Sequence, residues 1–596
     1  MSGTHRFLAG LAVLLLLAGV ALGQVKSSTI TGTVTDPSGA LVPGADVVVT
    51  NQETNVQVAV QSNAAGEYTV PYLAAGQYSV TVTMQGFQTF RKTGIVMGTG
   101  TTAREDVTLV TGSVASTLEV KADAIALQTE SATVQGAVDR DIIQNIPNIN
   151  NNPLYYATLQ AGVVPSLQIY NGSILGVGYA DRMQMSDMRI NGGLVGTNDV
   201  QMDGIAVQGA AWHETTVLPN RDAIQEVRVI ANTFSADLGH GQGLISMITK
   251  SGTNEFHGSL NYRLRNEDLN ANGLYNNMFD IPRSKYRVNE YGGTIGGPVI
   301  IPKLFNGKNK LFFFASYERL SHSDPMNYLG RVPTAAERTG DFSQTMVADN
   351  NGNPVHVQVF DPFSAASYQG SSQVFIRQPY PNSVMTNADP YGLKILQAYP
   401  MPNHTPSDAF QTNNYYATGS VPTIRNNLAT RLDYRLSDRQ SLYLSGGLQN
   451  GSVGAVNAWG NNKYGFYNNA DGQSTPKSDD NPYAMVGDTI TLSPTTILDV
   501  RYGVTRVQAQ SGFPVTTGFN YSDFGMPASV QAEVTIPGTA PSIGGFCGNN
   551  TNCNLAQLNF DGWNRKNEHQ TNHSLSGSVT KVVGKWTLKQ GADYRV

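Results

Sequence analysis

The chain has 596 residues, of which 40% are hydrophobic and 14% are charged, and it contains 61 glycines and 27 tyrosines. It is too long for one ordinary domain, and its many Gly, Asn, Thr and Tyr residues suit strands and turns better than helices. Its formal net charge of -5 provides no basic surface for nucleic acid, and beyond the first 25 residues no apolar run is long enough for a membrane helix. A nucleic-acid-binding protein and a helical membrane protein are therefore excluded.

The first segment has the features of a secretion signal. Two basic side chains precede an apolar run from Phe7 to Leu22, which ends in the small-x-small pattern that signal peptidase accepts. We therefore predict a signal peptide over residues 1–23. An uncleaved membrane anchor is the alternative.

Residues 29–110 have the pattern of a small β-sandwich. Short alternating strands are separated by turns, such as the one over Asp36 to Gly39. The segment resembles the carboxypeptidase-regulatory-like domain, which shares its fold with some carbohydrate-binding modules. Fold does not fix function, and the aromatic side chains lie at strand positions that favour core packing over sugar binding: Tyr68, Tyr72, Tyr78 and Phe87.

Residues 111–130 are predicted to be a linker that contains one short extended segment. This segment is similar to the TonB box, the part of certain outer-membrane receptors that the inner-membrane protein TonB grips; it consists of Thr117, Leu118, Glu119, Val120, Lys121 and Ala122. The interaction requires an exposed strand that can add to the edge of a partner's sheet. Because almost any extended hexamer meets that requirement, an ordinary linker strand is the alternative.

Residues 131–252 resemble the plug domain of the same receptors. Val138 to Pro147 is similar to the entry of that domain, and Pro153 to Gln160 resembles its first helix. A strand-turn unit follows from Asp199 to Ile205. The resemblance implies that this domain blocks the lumen of a barrel and is remodelled by force on its N-terminal tail.

The stretch from Pro219 to Asn266 changes character at its middle. Its first half is compact and mixed, whereas from Phe256 apolar and polar residues alternate strictly to Arg265. Alternation over about ten residues is typical of a strand that crosses a bilayer at a tilt. The whole stretch resembles the plug-to-barrel junction of TonB-dependent outer-membrane receptors of the Oar-like kind. The resemblance implies import across the outer membrane, driven by TonB and its inner-membrane energising complex.

Further segments with strand alternation or membrane-spanning length follow, separated by connections that are alternately short and long. They lie near residues 286–297, 310–321, 424–436, 440–449, 482–492, 496–510, 570–582 and 585–596. Short periplasmic turns that alternate with long outer loops are typical of outer-membrane barrels, which have even strand numbers in bacterial single chains. With the strand from Phe256, these segments make nine, which is an odd number. We therefore predict a partial antiparallel barrel in contact with outer-membrane lipid over residues 253–596, and we expect the sequence to be a fragment of a longer reading frame.

The two cysteines, Cys547 and Cys553, fall in one of the predicted outer loops. Export would place them in an oxidising compartment, where we expect them to form a disulfide across a short loop. Several arginines are predicted to face the lumen and would suit anionic or polar cargo, although polar lumens are usual in such barrels: Arg263, Arg265, Arg431, Arg435 and Arg501.

The chain carries no recognisable catalytic motif. His213-Glu-Thr-Thr-Val217 begins like a zinc-protease helix, but valine occupies the place of the second histidine ligand. We therefore expect no enzyme and no cofactor. The fold class is predicted to be mainly β, with an N-terminal sandwich, a plug and the first part of a transmembrane barrel in the bacterial outer membrane. The predicted function is TonB-dependent uptake of an extracellular ligand; the alternative is a surface binding or adhesion protein without import.

Overall fold

The chain divides into three regions of β structure. The computed structural model describes residues 28–73, 75–98, 101–112, 116–121, 134–146, 152–165, 188–194, 196–209, 215–232, 241–278, 283, 285–370, 375–437, 439–454, 457–460, 477–493, 496–511, 519–533, 543, 555, 566–583 and 586–596. Within these ranges, no helix combines the length and the apolar character needed to cross a membrane.

Residues 28–121, which we call the sandwich, form two packed sheets. The strands are β1 (Ser28–Thr35), β2 (Asp46–Asn51), β3 (Gln57–Gln61), β4 (Glu67–Leu73), β5 (Gly76–Thr83), β6 (Thr89–Met97), β7 (Thr102–Arg104), β8 (Val107–Thr108) and β9 (Thr117–Lys121). One sheet has the order β4-β1-β7, with β8 also paired to β1, and the other has the order β3-β2-β5-β6-β9. The period-two pattern of β1 and β2 buries alternate residues completely, among them Ile30, Val47 and Val49. The core therefore lies between the two sheets.

Tyr68 joins the two edges of the first sheet. Its ring is 2% exposed, and its hydroxyl donates a 2.6 Å hydrogen bond to the backbone carbonyl of Glu105. Burial, and then the charge of Glu105, raises the pKa of Tyr68, so the hydroxyl stays protonated and remains a donor.

Replacing Tyr68 by phenylalanine is expected to destabilise the sandwich. The change removes the donor and leaves the Glu105 carbonyl buried without that partner, at a cost of about 1–2 kcal/mol. Urea unfolding of the full chain is the measurement. A lower midpoint at an unchanged slope is expected, and an unchanged midpoint would show that the hydrogen bond contributes nothing.

Residues 134–249, which we call the plug, contain a further mixed sheet. Its elements are β10 (Val134–Asp139), α1 (Arg140–Asn145), β11 (Val163–Pro165), β12 (Met188–Ile190), β13 (Asp199–Met202), β14 (Ile205–Ala206), β15 (Ile224–Asn232) and β16 (Leu244–Thr249), with 3-10 turns at Pro153–Leu159 and Arg221–Ala223. Five of the strands form one sheet in the order β10-β15-β16-β13-β14. Asp139 caps α1 by accepting from the Ile142 N–H at 3.0 Å. Asn220 caps the 3-10 turn at Arg221–Ala223 by accepting from the Ala223 N–H.

The third region begins at His257 and is dominated by long strands. Its elements are β17 (His257–Arg265), α2 (Leu274–Met278), β18 (Arg287–Pro298), β19 (Ile300–Ile301), β20 (Phe305–Asn306), β21 (Leu311–Gly330), β22 (Met346–Ala348), β23 (Pro354–His356), β24 (Ala366–Ser367), β25 (Phe375–Ile376), α3 (Pro390–Ala398), β26 (Tyr415–Ser437), β27 (Gln440–Val453), β28 (Lys477–Ser493), β29 (Thr496–Ser511), α4 (Ala528–Glu533), β30 (Lys566–Val583) and β31 (Trp586–Arg595). Short 3-10 turns lie at Glu267–Leu269, Glu337–Thr339, Pro362–Ser364, Tyr368–Gly370, Pro381–Ser383 and Tyr521–Phe524.

Nine long strands of this region form one antiparallel sheet, which we call the wall. Its order is β17-β18-β21-β26-β27-β28-β29-β30-β31, so each long strand pairs with the next along the chain. The outward face is apolar, as illustrated by Leu260, which is 94% exposed, and Leu432, which is 40% exposed. These features confirm the predicted mainly β fold class with an antiparallel barrel sheet. Among the described strands, β17 and β31 are the two edges of this sheet and do not pair with each other.

The long connections at the outer ends of the strands pack on one another through aromatic rings. Trp459 is 4% exposed and has ring centroids within 5.4 Å of Tyr399 and 5.5 Å of both Tyr328 and Tyr415. Edge-to-face and tilted pairs at such distances are favourable beyond the area that they bury. The outer ends of β21 and β26 are therefore tied to the connections that follow β21 and β27.

Candidate functional site

The plug lies against the inner face of the wall, and this interface is the candidate functional site. Apolar contacts across it are few: among the described residues, Tyr483 and Met485 of β28 join the buried cluster of the plug, and Ala223 packs with Phe314 and Ala429. The remaining contacts that the structure gives are largely polar. The alternation of the wall strands explains this, because it directs leucines outward and polar side chains inward.

The turn between β13 and β14 is the most heavily bonded point of the interface. It consists of Asp203 and Gly204, both with positive φ (48° and 84°), as a tight hairpin turn requires. The Asp203 carboxylate accepts from the N–H of Thr249 at 3.0 Å and from its hydroxyl at 2.7 Å. It also forms an ion pair with Arg431 of β26 at 3.0 Å and accepts from Ser445 of β27 at 3.3 Å.

The backbone of the same turn is also held by the wall. The Asp203 carbonyl accepts from the Tyr443 hydroxyl at 2.8 Å and from Arg501 Nη1 at 3.2 Å. Both guanidinium groups lie near the Tyr443 ring, with Arg431 Cζ at 4.8 Å and Arg501 Cζ at 5.9 Å from its centroid. We call Asp203, Arg431, Tyr443 and Arg501 the clamp. It joins one plug turn to three strands of the wall, β26, β27 and β29.

Each clamp arginine has a second carboxylate on its own strand. Arg431 donates to both oxygens of Asp433, at 2.9 and 3.1 Å, and Arg501 donates to Asp499 at 3.1 Å. Planar guanidinium groups suit such shared pairing because their donors diverge in one plane. The arginines therefore keep a partner on the wall if the plug turn moves away.

Further polar contacts hold the plug along its length. The Asn220 amide donates to Ser316 at 2.6 Å, and the Asn427 amide donates to the Leu218 carbonyl at 2.6 Å. Arg595 donates to both oxygens of Asp199, at 2.9 and 3.0 Å. The plug is thus bonded to β21, to β26 and to the end strand β31 of the wall, in addition to the clamp.

Buried charge also lies on the plug side of the site. Arg228 pairs with Glu226 at 2.8 Å, and burial lowers the pKa of Arg228 while the charge of Glu226 opposes the shift. The pKa of Lys250, directly after β16, is lowered to about 8, first by burial and then by the charge of Arg140. Lys250 therefore loses its charge at lower pH than a solvated lysine.

The candidate TonB box forms β9 at the edge of a sandwich sheet. Thr117 to Lys121 pairs in parallel with Thr89 to Thr93 of β6. Leu118 is 40% exposed, whereas Val120 packs against the sandwich core. Ala122 lies outside the described residues. Among the described strands, the segment is therefore paired along one edge only.

The lumen-facing arginines are engaged within the protein. Besides the clamp pair, Arg263 pairs with Glu290 at 3.3 Å, Arg265 lies 4.3 Å from the ring centroid of Tyr286, and Arg435 donates to the Gln57 carbonyl at 2.9 Å. These contacts give the arginines a structural role apart from any cargo.

Several predicted features lie where the structure makes no statement. Residues 1–23, Cys547 and Cys553 are outside the described ranges, so the signal peptide and the disulfide stay predictions. In the described part of the chain, no three His, Cys, Asp or Glu side chains are grouped to hold a metal ion.

Comparisons with known proteins agree with this architecture. Residues 248–596 match the family model described as outer membrane beta barrel domain, and residues 29–110 match the carboxypeptidase regulatory-like domain. A curated relative, the TonB-dependent transporter Oar of Myxococcus xanthus, is 26% identical over 399 residues, which are 63% of this chain and 35% of that protein. This relative is a transporter and not an enzyme, and it gives no support to the adhesion alternative.

Two solved structures are similar at lower identity. The outer membrane transporter YddB from Escherichia coli has a TM-score of 0.40 and 11% identity, and the match covers 76% of this chain and 47% of that one. The siderophore receptor PirA from Acinetobacter baumannii has a TM-score of 0.38 and 11% identity, with coverage of 77% and 47%. The chain thus spans about a third of the curated relative, 35%, and about half of each solved chain, 47%.

The family match, together with the relative, indicates the bacterial outer membrane as the location. It also agrees with a wall whose outward face carries exposed leucines and whose inward face carries polar side chains. Because the family model covers residues 248–596, more than half of the chain, the protein belongs to the outer membrane β-barrel domain family.

Proposed function

We propose that the protein is a TonB-dependent receptor that takes up an extracellular solute across the outer membrane. The observation that carries the proposal is the polar attachment of the plug to the inner face of the wall, centred on the clamp. Similarity to the TonB-dependent transporter Oar supports it.

A polar interface suits a plug that must be remodelled. Opening an apolar interface costs about 25 cal/mol of free energy for each Å² of apolar surface that becomes exposed to water. Water forms no hydrogen bonds with that surface to offset the cost. Hydrogen-bonded groups such as Asn220 and Ser316 exchange their partners for water, so the net cost of each bond is only about 0.5–1.5 kcal/mol. Arg431 and Arg501 also keep Asp433 and Asp499 as partners on the wall. The plug can therefore be held in one place and still be displaced by force.

We assign the TonB contact to β9. Its outer edge has no neighbour among the described strands, whose order is β3-β2-β5-β6-β9, and an exposed edge strand is the element to which a partner's strand adds through backbone hydrogen bonds. TonB, energised from the inner membrane, would supply the force. The side chains of Thr117, Leu118 and Glu119 are exposed, which leaves the strand accessible.

A proline in β9 is expected to abolish TonB binding. Glu119→Pro removes a backbone donor and disfavours continued strand pairing, whereas its side chain is exposed, so the sandwich core is not altered. The measurement is capture of the protein, solubilised from outer membranes, by the purified periplasmic domain of TonB.

The matched control is Ala59→Pro in β3, the strand at the opposite edge of the same sheet. It places the same residue in an edge strand that the proposal does not assign to TonB. We expect capture to be retained by Ala59→Pro and lost by Glu119→Pro. Equal capture of both variants would refute the assignment to β9, and failure of TonB to capture the unaltered protein would refute TonB dependence.

A further inference from the structure

The sandwich is attached, through the turn between β2 and β3, to the end of the wall that carries the short connections, which the sequence pattern assigns to the periplasm. The Thr54 carbonyl accepts from the Asn254 amide at 2.7 Å, and the Glu53 carbonyl accepts from the Asn254 N–H at 3.3 Å. The Gln57 carbonyl accepts from Arg435 at 2.9 Å. Asn254 lies between the plug and β17, and Arg435 lies near the end of β26. One turn therefore contacts both the plug-to-wall junction and the wall itself.

This turn is rigid enough to serve as a docking element. The Asn51 side chain accepts from the N–H groups of Glu53 and Thr54, both at 2.9 Å, and Asn55 has a positive φ of 56°. An Asn side chain that bonds the following N–H groups fixes a turn before any partner is met. The carbonyls of Glu53 and Thr54 are therefore presented outward in a fixed arrangement.

A second contact reaches the plug. A Cβ atom on Gly98, directly after β6, would lie 2.7 Å from Arg228 Nη2 and 3.3 Å from Glu226 Oε2. Only glycine allows the backbone to approach so closely. The sandwich thus covers the buried Arg228–Glu226 pair of β15, whose side chains are only 2% and 6% exposed.

The strand assigned to TonB is bonded to this docked module. β9 pairs with β6, and β6 leads directly to Gly98. The chain from Lys121 to Val134 contains 12 intervening residues, which can extend to about 40 Å at about 3.3 Å per residue. Force on β9 therefore acts first on the sandwich. It reaches the plug only after the connecting chain has been fully extended.

We propose that the sandwich is a latch on the periplasmic side, docked through Glu53, Thr54, Gln57 and Gly98, which must release before the plug can be remodelled. This inference rests on the proposed function for the source of the force. In the resting protein the latch covers one face of the plug and braces the junction at Asn254. Force on β9 withdraws it, and the plug is loaded afterwards.

Crosslinking in cells tests the latch. Glu53→Cys and Glu255→Cys place one thiol on each side of the docking contact. Glu53 docks through its backbone carbonyl, which the substitution keeps, and a short bismaleimide joins the two thiols only when the sandwich is docked. We expect the crosslinked product in cells whose proton gradient has been collapsed by a protonophore and its loss in energised cells. The controls are the two variants that carry only one of the introduced cysteines. Any crosslink that they form must involve the native Cys547 or Cys553.

A double variant, compared with a control variant, tests the docking contacts themselves. Asn254→Ala with Arg435→Ala removes the side-chain donors to Thr54 and Gln57, and we expect the ratio of docked to undocked protein to fall about tenfold, the equivalent of about 1.4 kcal/mol. The matched control is Arg439→Ala, which removes an exposed arginine from the adjoining turn. An unchanged ratio in the double variant would overturn the assigned contacts.

The latch and the proposed function fail in different ways. If TonB captures the protein through β9 but the crosslink forms equally with and without the proton gradient, the latch is wrong and TonB dependence stands. If TonB does not capture the protein, both are wrong. Both are supported if energised cells lose the crosslink and if the same cells keep it when Glu119→Pro is also present.

Discussion

Replacing Asp203 by alanine is expected to release the β13–β14 turn from the wall. The change removes the partner of Arg431 across the interface and leaves the Thr249 N–H without its acceptor. Asp203 is 2% exposed and Arg431 is 15% exposed, and removal of one partner from a buried ion pair costs about 3–5 kcal/mol. Because Arg431 retains Asp433, we expect the lower end of that range, about 3 kcal/mol.

Hydrogen exchange of the plug measures this effect. A loss of about 3 kcal/mol in the local opening free energy makes exchange more than about a hundredfold faster, and the acceleration should appear in β13, β14 and the end of β16. The control is Asp106→Ala, which removes a carboxylate paired with Arg104 at the sandwich surface, where the side chains are 57% and 42% exposed. Exposed pairs contribute little, so this variant should exchange normally. If Asp203→Ala also exchanged normally, the clamp would not hold the plug.

The strands of the wall could be predicted because lipid and plug impose opposite demands on their two faces. Leu428 and Leu432 point outward, while Asn427 and Arg431 point inward and bond to the plug. This contrast produces period two for the whole thickness of the membrane. All nine strands of the sheet correspond to segments predicted from the sequence.

The outer ends of the strands could not be predicted in the same way. β21 continues to Gly330 and β26 begins at Tyr415, well beyond the predicted limits of 321 and 424. In this extension polar side chains pair across the strands, as in the 2.6 Å contact between Ser323 and Ser420. The alternation of apolar and polar residues does not continue into this extension, so the sequence gives no sign of a strand there. The backbone pairing of β21 with β26 nevertheless continues to Gly330 and Tyr415.

The clamp was also beyond the reach of sequence patterns. The Asp203-Gly204 turn could be recognised, but its partners Arg431 and Arg501 lie 228 and 298 residues away. Lumen-facing arginines were predicted, yet nothing local distinguishes an arginine that holds a plug turn from one that binds cargo. The pairing of β9 with β6 was hidden for a related reason, since edge pairing depends on backbone groups that every residue shares.

Replacing Gly204 by alanine is expected to disturb the clamp without removing any charge. The backbone at this position has a φ of 84°, so alanine would have to adopt the left-handed conformation. The new Cβ atom would also lie 2.0 Å from Arg501 Nη1. The conformation costs about 1–2 kcal/mol. A free arginine could turn aside, but this one is fixed by Asp499 at 3.1 Å, so we expect a further cost of about 1–3 kcal/mol from overpacking.

Gly192 provides the matched control for this prediction. It also lies in a plug turn at positive φ, 77°, but a Cβ atom added there would meet no described atom within 4 Å. Gly192→Ala therefore carries the conformational cost alone, and the difference between the two variants in hydrogen exchange of the plug isolates the collision with Arg501. In an Arg501→Ala background that difference should vanish, because the atom that is struck is gone. A difference that persists there would place the strain in the plug turn itself and not in its contact with the wall.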